Sequence, residues 1–248
     1  MSLSLRIATY NLHKGMSVFH RRHVLPEQGQ ALAGLDLDLV FLQEVQGRHV
    51  HRARRHADWP ALPQHAALAG DRHHAYGANA SYRAGHHGNA ILSRHSILGW
   101  HNEDLSLGRL ERRGLLHARI RLPGRDRPLH AFSVHLNLRA VDRRRQLASL
   151  VDYVGGQVPA NDAFILAGDF NDWRQEACAI LEDALGVQEA FRRRHGRLAA
   201  TFPVRRPFLH LDRIYVRGLD VAEARVHSAL PWRGLSDHAP LSAVLVPR

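Results

Sequence analysis

The feature that most restricts what this chain can fold into is a series of short apolar runs, each closed by polar residues. They are LRIATYNLH (5–13), DLVFLQEV (38–45), NAILSR (89–94), LLHARIRL (115–122), LHAFSVHLNL (129–138), AFILAGDFN (163–171), LDRIYVRG (211–218) and LSAVLVP (241–247). Several alternate apolar and polar residues, which is the period of a strand. Helical patterns lie between some of them. LPEQGQALAGL (25–35) opens near a Pro, RRRQLASLVDYVGGQ (143–157) ends at a Gly pair, and RQEACAILEDAL (174–185) closes at Gly186. Strands and helices mixed along the whole length predict one α/β or α+β domain over residues 1–248, with no internal repeat and no Ser/Gly/Pro linker to divide it. The stretch from Gly47 to His87 is rich in Arg, His and Ala and weakly periodic. It is expected to be a surface excursion with a short helix, the kind of long loop that often carries function. Its histidines lack the compact spacing of a structural zinc site.

Composition bears on where such a domain works. An apolar fraction of 45% suffices for a substantial core, and no apolar run approaches the ~18 residues of a membrane span. The N-terminus MSLSLRIATYNLHKG lacks the charged segment and apolar core of a signal peptide. One cysteine, Cys178, excludes an internal disulfide framework and fits a reducing compartment. A soluble, cytoplasmic protein without stable membrane insertion is expected, and as a monomer. The net charge of +11 invites a polyanionic partner through phosphate neutralisation. Yet Lys14 is the single lysine, so the excess is arginine, in a chain also heavy in Ala, Leu, Gly and His. A GC-rich genome produces that usage whatever the function, so charge alone leaves the partner open.

The polar residues that close the runs are themselves patterned. Asn11 and His13 follow the first run, Glu44 the second, and Asn89 opens the third. His135 and Asn137 lie in SVHLNL, Asp169 and Asn171 follow FILAG, Asp212 precedes RIYV, and Asp237–His238 close GLSDHAP. Carboxylates, amides and histidines at the ends of several strands are expected where sheets present one site along an edge. These residue types suit Mg²⁺-assisted attack on a phosphate ester, because a hard cation takes carboxylate oxygens and a carboxylate can deprotonate water. Each has an ordinary alternative. Asn11 suits a turn, Glu44 a solvated strand end, His135 a core position, Asp237–His238 a turn or cap, and Asp212 a pair with Arg213. Their joint order is what argues for a site.

The motifs ATYNLHKG, FLQEV, GNAILSR, ERRGLL, SVHL, AGDFND, LDRIYV and LSDHAPL, in that order over nearly the whole chain, resemble the endonuclease/exonuclease/phosphatase superfamily. That group holds DNase I-like nucleases, abasic-site endonucleases, neutral sphingomyelinases and inositol-phosphate 5-phosphatases. NLHKG, GHHGNAILSR, GDFNDWR and TFPV with LDRIYV resemble more closely its bacterial YbhP-like subgroup. The resemblance implies a four-layer α/β sandwich of two packed, mostly antiparallel or mixed sheets flanked by helices, with the site at one end. It implies a Mg²⁺ cofactor, with Mn²⁺ as a substitute, held mainly by Glu44 with Asn11 and Asp237 close to it. Asp169 would orient or deprotonate the attacking water, Asn171 would hold a phosphate oxygen, and His238 would contact the scissile phosphate, charged and oriented by Asp212. His135 would stabilise the leaving oxygen or the developing charge. Asn11, Asn89 and Arg112 or Arg113 would be further phosphate contacts.

Two departures narrow the choice. His13 stands where the abasic-site branch commonly has an acid, and LDRIYVRG lacks that branch's pattern. No extended 5-phosphatase specificity sequence is present. The implied activity is Mg²⁺-dependent phosphoester hydrolysis by water that Asp169 activates. Its substrate is expected to be DNA or RNA, gripped by arginines at 48–55, 139–145 and 192–197; the alternative is a phospholipid head group or small phosphoester. A catalytically dead binding module would lack one or more of the motif residues, and none is missing.

Overall fold

The computed structural model describes residues 3–108 and 111–248. In chain order its strands are β1 (Leu5–Asn11), β2 (Leu39–His49), β3 (His73–Tyr82), β4 (Gly85–Ser93), β5 (Ile97–Asp104), β6 (Gly114–Ile120), β7 (Leu129–His135), β8 (Phe164–Asp169), β9 (Gln188–Glu189), β10 (Asp212–Arg217), β11 (Leu219–Val226) and β12 (Leu241–Pro247). Its helices are α1 (Leu25–Ala33), α2 (Val50–Arg55), α3 (Gln64–Ala69), α4 (Ala140–Gln157), α5 (Glu176–Leu185) and α6 (Ala190–His195). The strands form two six-stranded sheets, ordered β11-β12-β1-β2-β4-β3 and β5-β6-β7-β8-β10-β9. Each sheet has one parallel pair at its centre, β1 with β2 and β7 with β8; the other pairings are antiparallel. A parallel pair needs a long crossover, and α1 and α4 supply the two. The expected four-layer sandwich is the fold.

Alternation along each strand assigns the layers. Leu5, Ile7, Leu39, Phe41, Ile91, Leu116, Ala131, Ile165, Ile214 and Leu241 fill the space between the sheets. The opposite faces of the same strands pack outward. Ala8, Tyr10, Val40 and Leu42 meet Leu25 and Leu32 of α1, while Phe132, Phe164 and Leu166 meet Leu147, Leu150 and Leu181 of α4 and α5. Strands sandwiched this way are buried on both faces, which is why β7 and β8 are buried along their whole length and FILA in β8 is a continuous apolar run.

The inter-sheet face changes character along its length. Its series run Leu5-Ile7-Thr9-Asn11, Leu39-Phe41-Gln43, Leu129-Ala131-Ser133-His135 and Ile165-Ala167-Asp169, and β10 runs Val216-Ile214-Asp212 in reverse. Each begins apolar and ends polar at the same end of the sandwich. Hydrogen bonds bridge the polar layer: Gln43 Nε2 donates to Ser133 Oγ at 3.1 Å, and Asn89 Nδ2 to the carbonyls of Gly114 and Ser133 at 3.0 and 3.2 Å. Unbonded, these buried groups would each cost about 1–3 kcal/mol.

One expectation needs correction. Residues 47–87 are not a loop with one short helix. They hold the end of β2, both α2 and α3, all of β3 and the start of β4. β3 (HHAYGANASY) is an edge strand whose only buried residues are Ala75 and Gly77, so its pairing with β4, not an apolar pattern, defines it. The edge strands β5 and β11 were likewise not expected.

Candidate active site

Register brings the polar strand ends together. On adjacent strands, Asp212 pairs with Asp169 and Asp169 with His135, while Asn11 pairs with Gln43 on the facing sheet. Across the gap, Asn11 Nδ2 donates to Asp169 Oδ2 at 3.1 Å, and Asn11 Oδ1 accepts from the His13 amide at 3.0 Å. The Asn171 amide donates to Asp169 Oδ1 at 3.0 Å, and Asn171 turns back with φ +49. Its Nδ2 donates to the Leu136 carbonyl at 2.9 Å, which leaves its second amide hydrogen unspent. Gly168 makes the presentation of Asp169 possible. Its φ is +150, and a Cβ there would lie 2.0 Å from the Val134 carbonyl oxygen.

His238 arrives from the loop before β12. Ser236 Oγ donates to the Asn11 carbonyl at 2.8 Å and accepts from the His238 amide at 3.2 Å, which ties this loop to β1. His238 Nδ1–H donates to Asp212 Oδ2 at 2.9 Å, and Nε2 stands 3.7 Å from Asp169 Oδ2. His135 Nε2 is 3.5 Å from the same oxygen. Asp169, Asp212 and His238 are all buried and bring ligand-type atoms within 4.8 Å of one another, which also fits a divalent cation.

Burial sets the charges. For Asp169, burial dominates over the opposing pull of His238, and with the neighbouring Asp212 it raises the carboxyl to about 6. Burial alone would lower His238, but Asp212 and Asp169 overcome it and raise the imidazole to about 10. His238 is therefore an imidazolium at neutral pH. His135 goes the other way: burial, reinforced by the charge of Arg113, holds it well below the usual histidine range and neutral.

Glu44 shows why alternation alone misplaces it. By period two it would share the α1 face with Leu42. Instead β2 has an irregularity against β4 between Leu42 and Val45, and Glu44 adopts φ +53. A non-glycine residue there costs on the order of 1–3 kcal/mol and marks a turn under constraint. Burial opposes ionisation of Glu44, yet surrounding positive groups lower it to about 2. Because His135 is neutral, Lys14 is the principal cation near neutrality, with Nζ 3.4 Å away. Glu44 Oε2 is buried without a hydrogen bond, as is Asp212 Oδ1. Asp237 stands nearer solvent, with Oδ2 3.9 Å from His13 Nε2.

Among the proposed phosphate contacts the geometry discriminates. Arg113 is largely buried, its Nε has no hydrogen-bond partner, and its charge acts on His135. Arg112 points outward, 3.9 Å from Asp104. Both amide hydrogens of Asn89 are spent on carbonyls, which leaves no donor for a phosphate. Two residues at the site went unassigned by motif reasoning. Lys14 and His87 both sit inside quoted motifs, and a lone lysine in an arginine-rich chain is a signal in itself. His87 is held down to about 4 by burial, then by Lys14.

Comparison with known proteins gives the family and the fold. A model of the endonuclease/exonuclease/phosphatase family matches residues 8–238. The Escherichia coli protein YbhP is 45% identical over 245 residues, covering 97% of this chain and 95% of its own. Among solved structures, D. rerio TDP2 complexed with single strand DNA product superposes with a TM-score of 0.72 at 18% identity, covering 98% of both chains. A Bacteroides thetaiotaomicron mannosyl-6-phosphatase superposes with a TM-score of 0.72 at 17% identity, over 98% of this chain and 99% of that one. With most of its length matched by the family model and by a relative of this identity, the chain belongs to the endonuclease/exonuclease/phosphatase family of phosphoester hydrolases.

Proposed function

We propose that this chain is a divalent-cation-dependent phosphodiesterase in which Asp169 activates water and His238 serves as the acid. The observation that carries the reading is the buried triad of Asp169, His238 and Asp212, one carboxyl raised toward neutrality beside one imidazolium. Opposed shifts in neighbouring titratable groups are the arrangement that separates base from acid. Asp169, held by Asn11 and the Asn171 amide, takes a proton from water as its oxygen bonds to phosphorus. The ester oxygen on the far side leaves and takes a proton from His238 Nε2. The proton on Asp169 then returns to His238 across the 3.7 Å between them, and both groups are restored. Asp212 orients the imidazolium throughout. The second amide hydrogen of Asn171 and the guanidinium of Arg113, which lies 3.8 Å from Glu111, would bind phosphate oxygens, and neutral His135 would donate beside Asp169.

The donor set fits a Mg²⁺ or Mn²⁺ ion at Glu44, with Asp237 and the Asn11 side-chain oxygen beside it. Glu44 offers a buried, ionised and unbonded carboxylate oxygen, the hard donor such ions take. When bound, the ion supplies charge neutralisation at the phosphate. The cluster of Asp169, Asp212 and His238 suits it less, because an imidazolium has no lone pair for a metal. Glu44→Gln is expected to raise the Mg²⁺ concentration needed for half-maximal turnover, and an unchanged titration would remove Glu44 from the ligand set.

Nucleic acid is the first reading of the substrate, supported by where the arginine clusters lie rather than by net charge. Of the three arginine clusters, 48–55 and 139–145 stand at the site end, at the close of β2 and the start of α4. The cluster at 192–197 begins beside β9, which pairs further along β10 from Asp212, and Arg192 bonds Glu182 there. A phospholipid head group is the second reading, favoured by apolar side chains exposed at the same end. The test is a panel of plasmid, single-stranded DNA, RNA, abasic duplex, glycerophosphodiesters and sphingomyelin with Mg²⁺ or Mn²⁺. Cation-dependent turnover of any member, lost in His238→Ala, supports the assignment. Turnover that survives in that variant, or none at all, overturns it.

A further inference from the structure

Exposed apolar surface is not spread evenly over this molecule. Among the described residues, seven large apolar side chains are at least half exposed. Six of them, Phe19, Leu62, Leu138, Val141, Phe208 and Leu230, lie on segments that leave the site end of the sandwich. Phe19 is on the loop after β1 and Leu62 between α2 and α3. Leu138 and Val141 are at the β7–α4 junction, Phe208 precedes β10, and Leu230 precedes β12. The seventh, Trp100, is on β5, away from that end. The turns at the opposite end carry paired charges instead, such as Arg94 with Asp36 and Arg127 with Asp162.

The same site-end segments (12–24, 50–63, 136–142, 199–211 and 227–240) contain ten Lys and Arg against three Asp and Glu. Apolar tips among unbalanced cations are the surface chemistry of a protein that sits on an anionic interface. We infer that the site end docks on an anionic phospholipid bilayer, which brings the site face to face with head-group phosphates. The docking goes beyond the proposed activity and stands whichever phosphoester the site hydrolyses.

Three features favour a bilayer over other occupants. Four of the six tips are aliphatic and offer no face for base stacking, which is how single strands are held. The tips also stand on five separate segments around a rim, whereas a protein partner needs one continuous complementary patch. A fluid interface accepts separated tips, with arginines meeting the head groups. The site lies within the rim, Asp169 and His238 buried, with Glu44 and Asp237 partly open above them. A head-group phosphate reaching past the interface would meet them. No helix among the described residues is long and apolar enough to cross a membrane, so the contact would be peripheral.

The test is sedimentation of the full chain with phosphatidylcholine vesicles, with and without phosphatidylglycerol. Hydrolysis of a water-soluble glycerophosphodiester is read in parallel. The wild type is expected to bind the anionic vesicles much more tightly than the neutral ones. Phe208→Ser combined with Leu230→Ser is expected to weaken that binding by about tenfold or more. Leu98→Ser combined with Trp100→Ser, away from the site end, is expected to leave it unchanged. Soluble turnover is expected to be the same in all three proteins. Wild type that stays in the supernatant, or a tip variant that binds equally well, overturns the docking. So does a tip variant that loses a single-stranded DNA oligonucleotide while vesicles go unbound. Tip-dependent vesicle binding with no hydrolysis of any phosphodiester supports docking and overturns the phosphodiesterase reading instead.

Discussion

Asp169 and His238 stand 3.7 Å apart with opposite chemical tendencies, and pH reads both. The carboxyl, raised to about 6 by burial and by Asp212, must lose its proton to work as a base. The imidazole, raised to about 10 against its own burial by Asp212 and Asp169, must keep its proton to work as an acid. The sign follows: kcat/KM should climb as pH rises through about 6 and fall as pH nears about 10, a bell whose limbs belong to the pair. Asp212→Asn leaves an oxygen for His238 Nδ1–H but removes the negative charge, and should carry the alkaline limb down toward neutrality, a shift that pH–rate profiles of the two proteins would resolve. An unmoved limb would mean Asp212 has no electrostatic hold on the acid. Asp169→Asn is nearly isosteric and keeps one acceptor oxygen, so one of the hydrogen bonds from Asn11 Nδ2 and the Asn171 amide survives while the base is removed. It should lose roughly 10²–10⁴ in kcat with little change in thermal midpoint. Near-wild-type turnover would remove Asp169 from that role.

At the scale of elements, polar residues that close apolar runs were legible in the sequence, because period two places Asn11, Asp169, His135 and Asp212 on the same inter-sheet face. What alternation could not reveal was the departure from it. Glu44 reaches the site only through the break in β2 and a left-handed backbone, and nothing local in FLQEV announces that. Arg112 and Arg113 are adjacent just before β6, and nothing in ERRGLL says which of the two turns inward. Asn89 has the right chemistry for a phosphate, yet tertiary packing spends its donors on carbonyls. Strands β3, β5 and β11 were missed for a shared reason. Edge strands bury little, so HHAYGANASY and LDVAEARV carry few of the apolar signals by which a strand is found. Gly168 offers the sharpest test at this scale. Gly168→Ala would push a Cβ against the Val134 carbonyl in a backbone conformation that side chains rarely adopt. We expect a lowered thermal midpoint and loss of activity together, checked by thermal denaturation beside the soluble-substrate assay. A stable variant with full activity would show that β7 and β8 can separate there at little cost.

For the whole molecule, the resemblance carried the four-layer architecture correctly, while composition carried little; the arginine excess divides between pairs such as Arg144 with Glu176 and the unbalanced loops around the site. Long-range pairing dominates the topology. Leu5 lies opposite Leu245, and β12 fits between β1 and β11, strands from near the two ends of the described chain. Deleting residues 241–248 should therefore abolish cooperative unfolding, as followed by circular dichroism, because β1 and β11 lose their shared neighbour. A truncated chain with native-like denaturation would mean β12 is dispensable. The position of that strand also has a consequence during synthesis. A ribosome delivers β1 about 230 residues before β12, so a nascent chain carries one edge of β1 open throughout that interval. His238 emerges just ahead of β12. Until β12 arrives the open edge of β1 is an aggregation hazard, and the proposed acid reaches the site only as that edge can close.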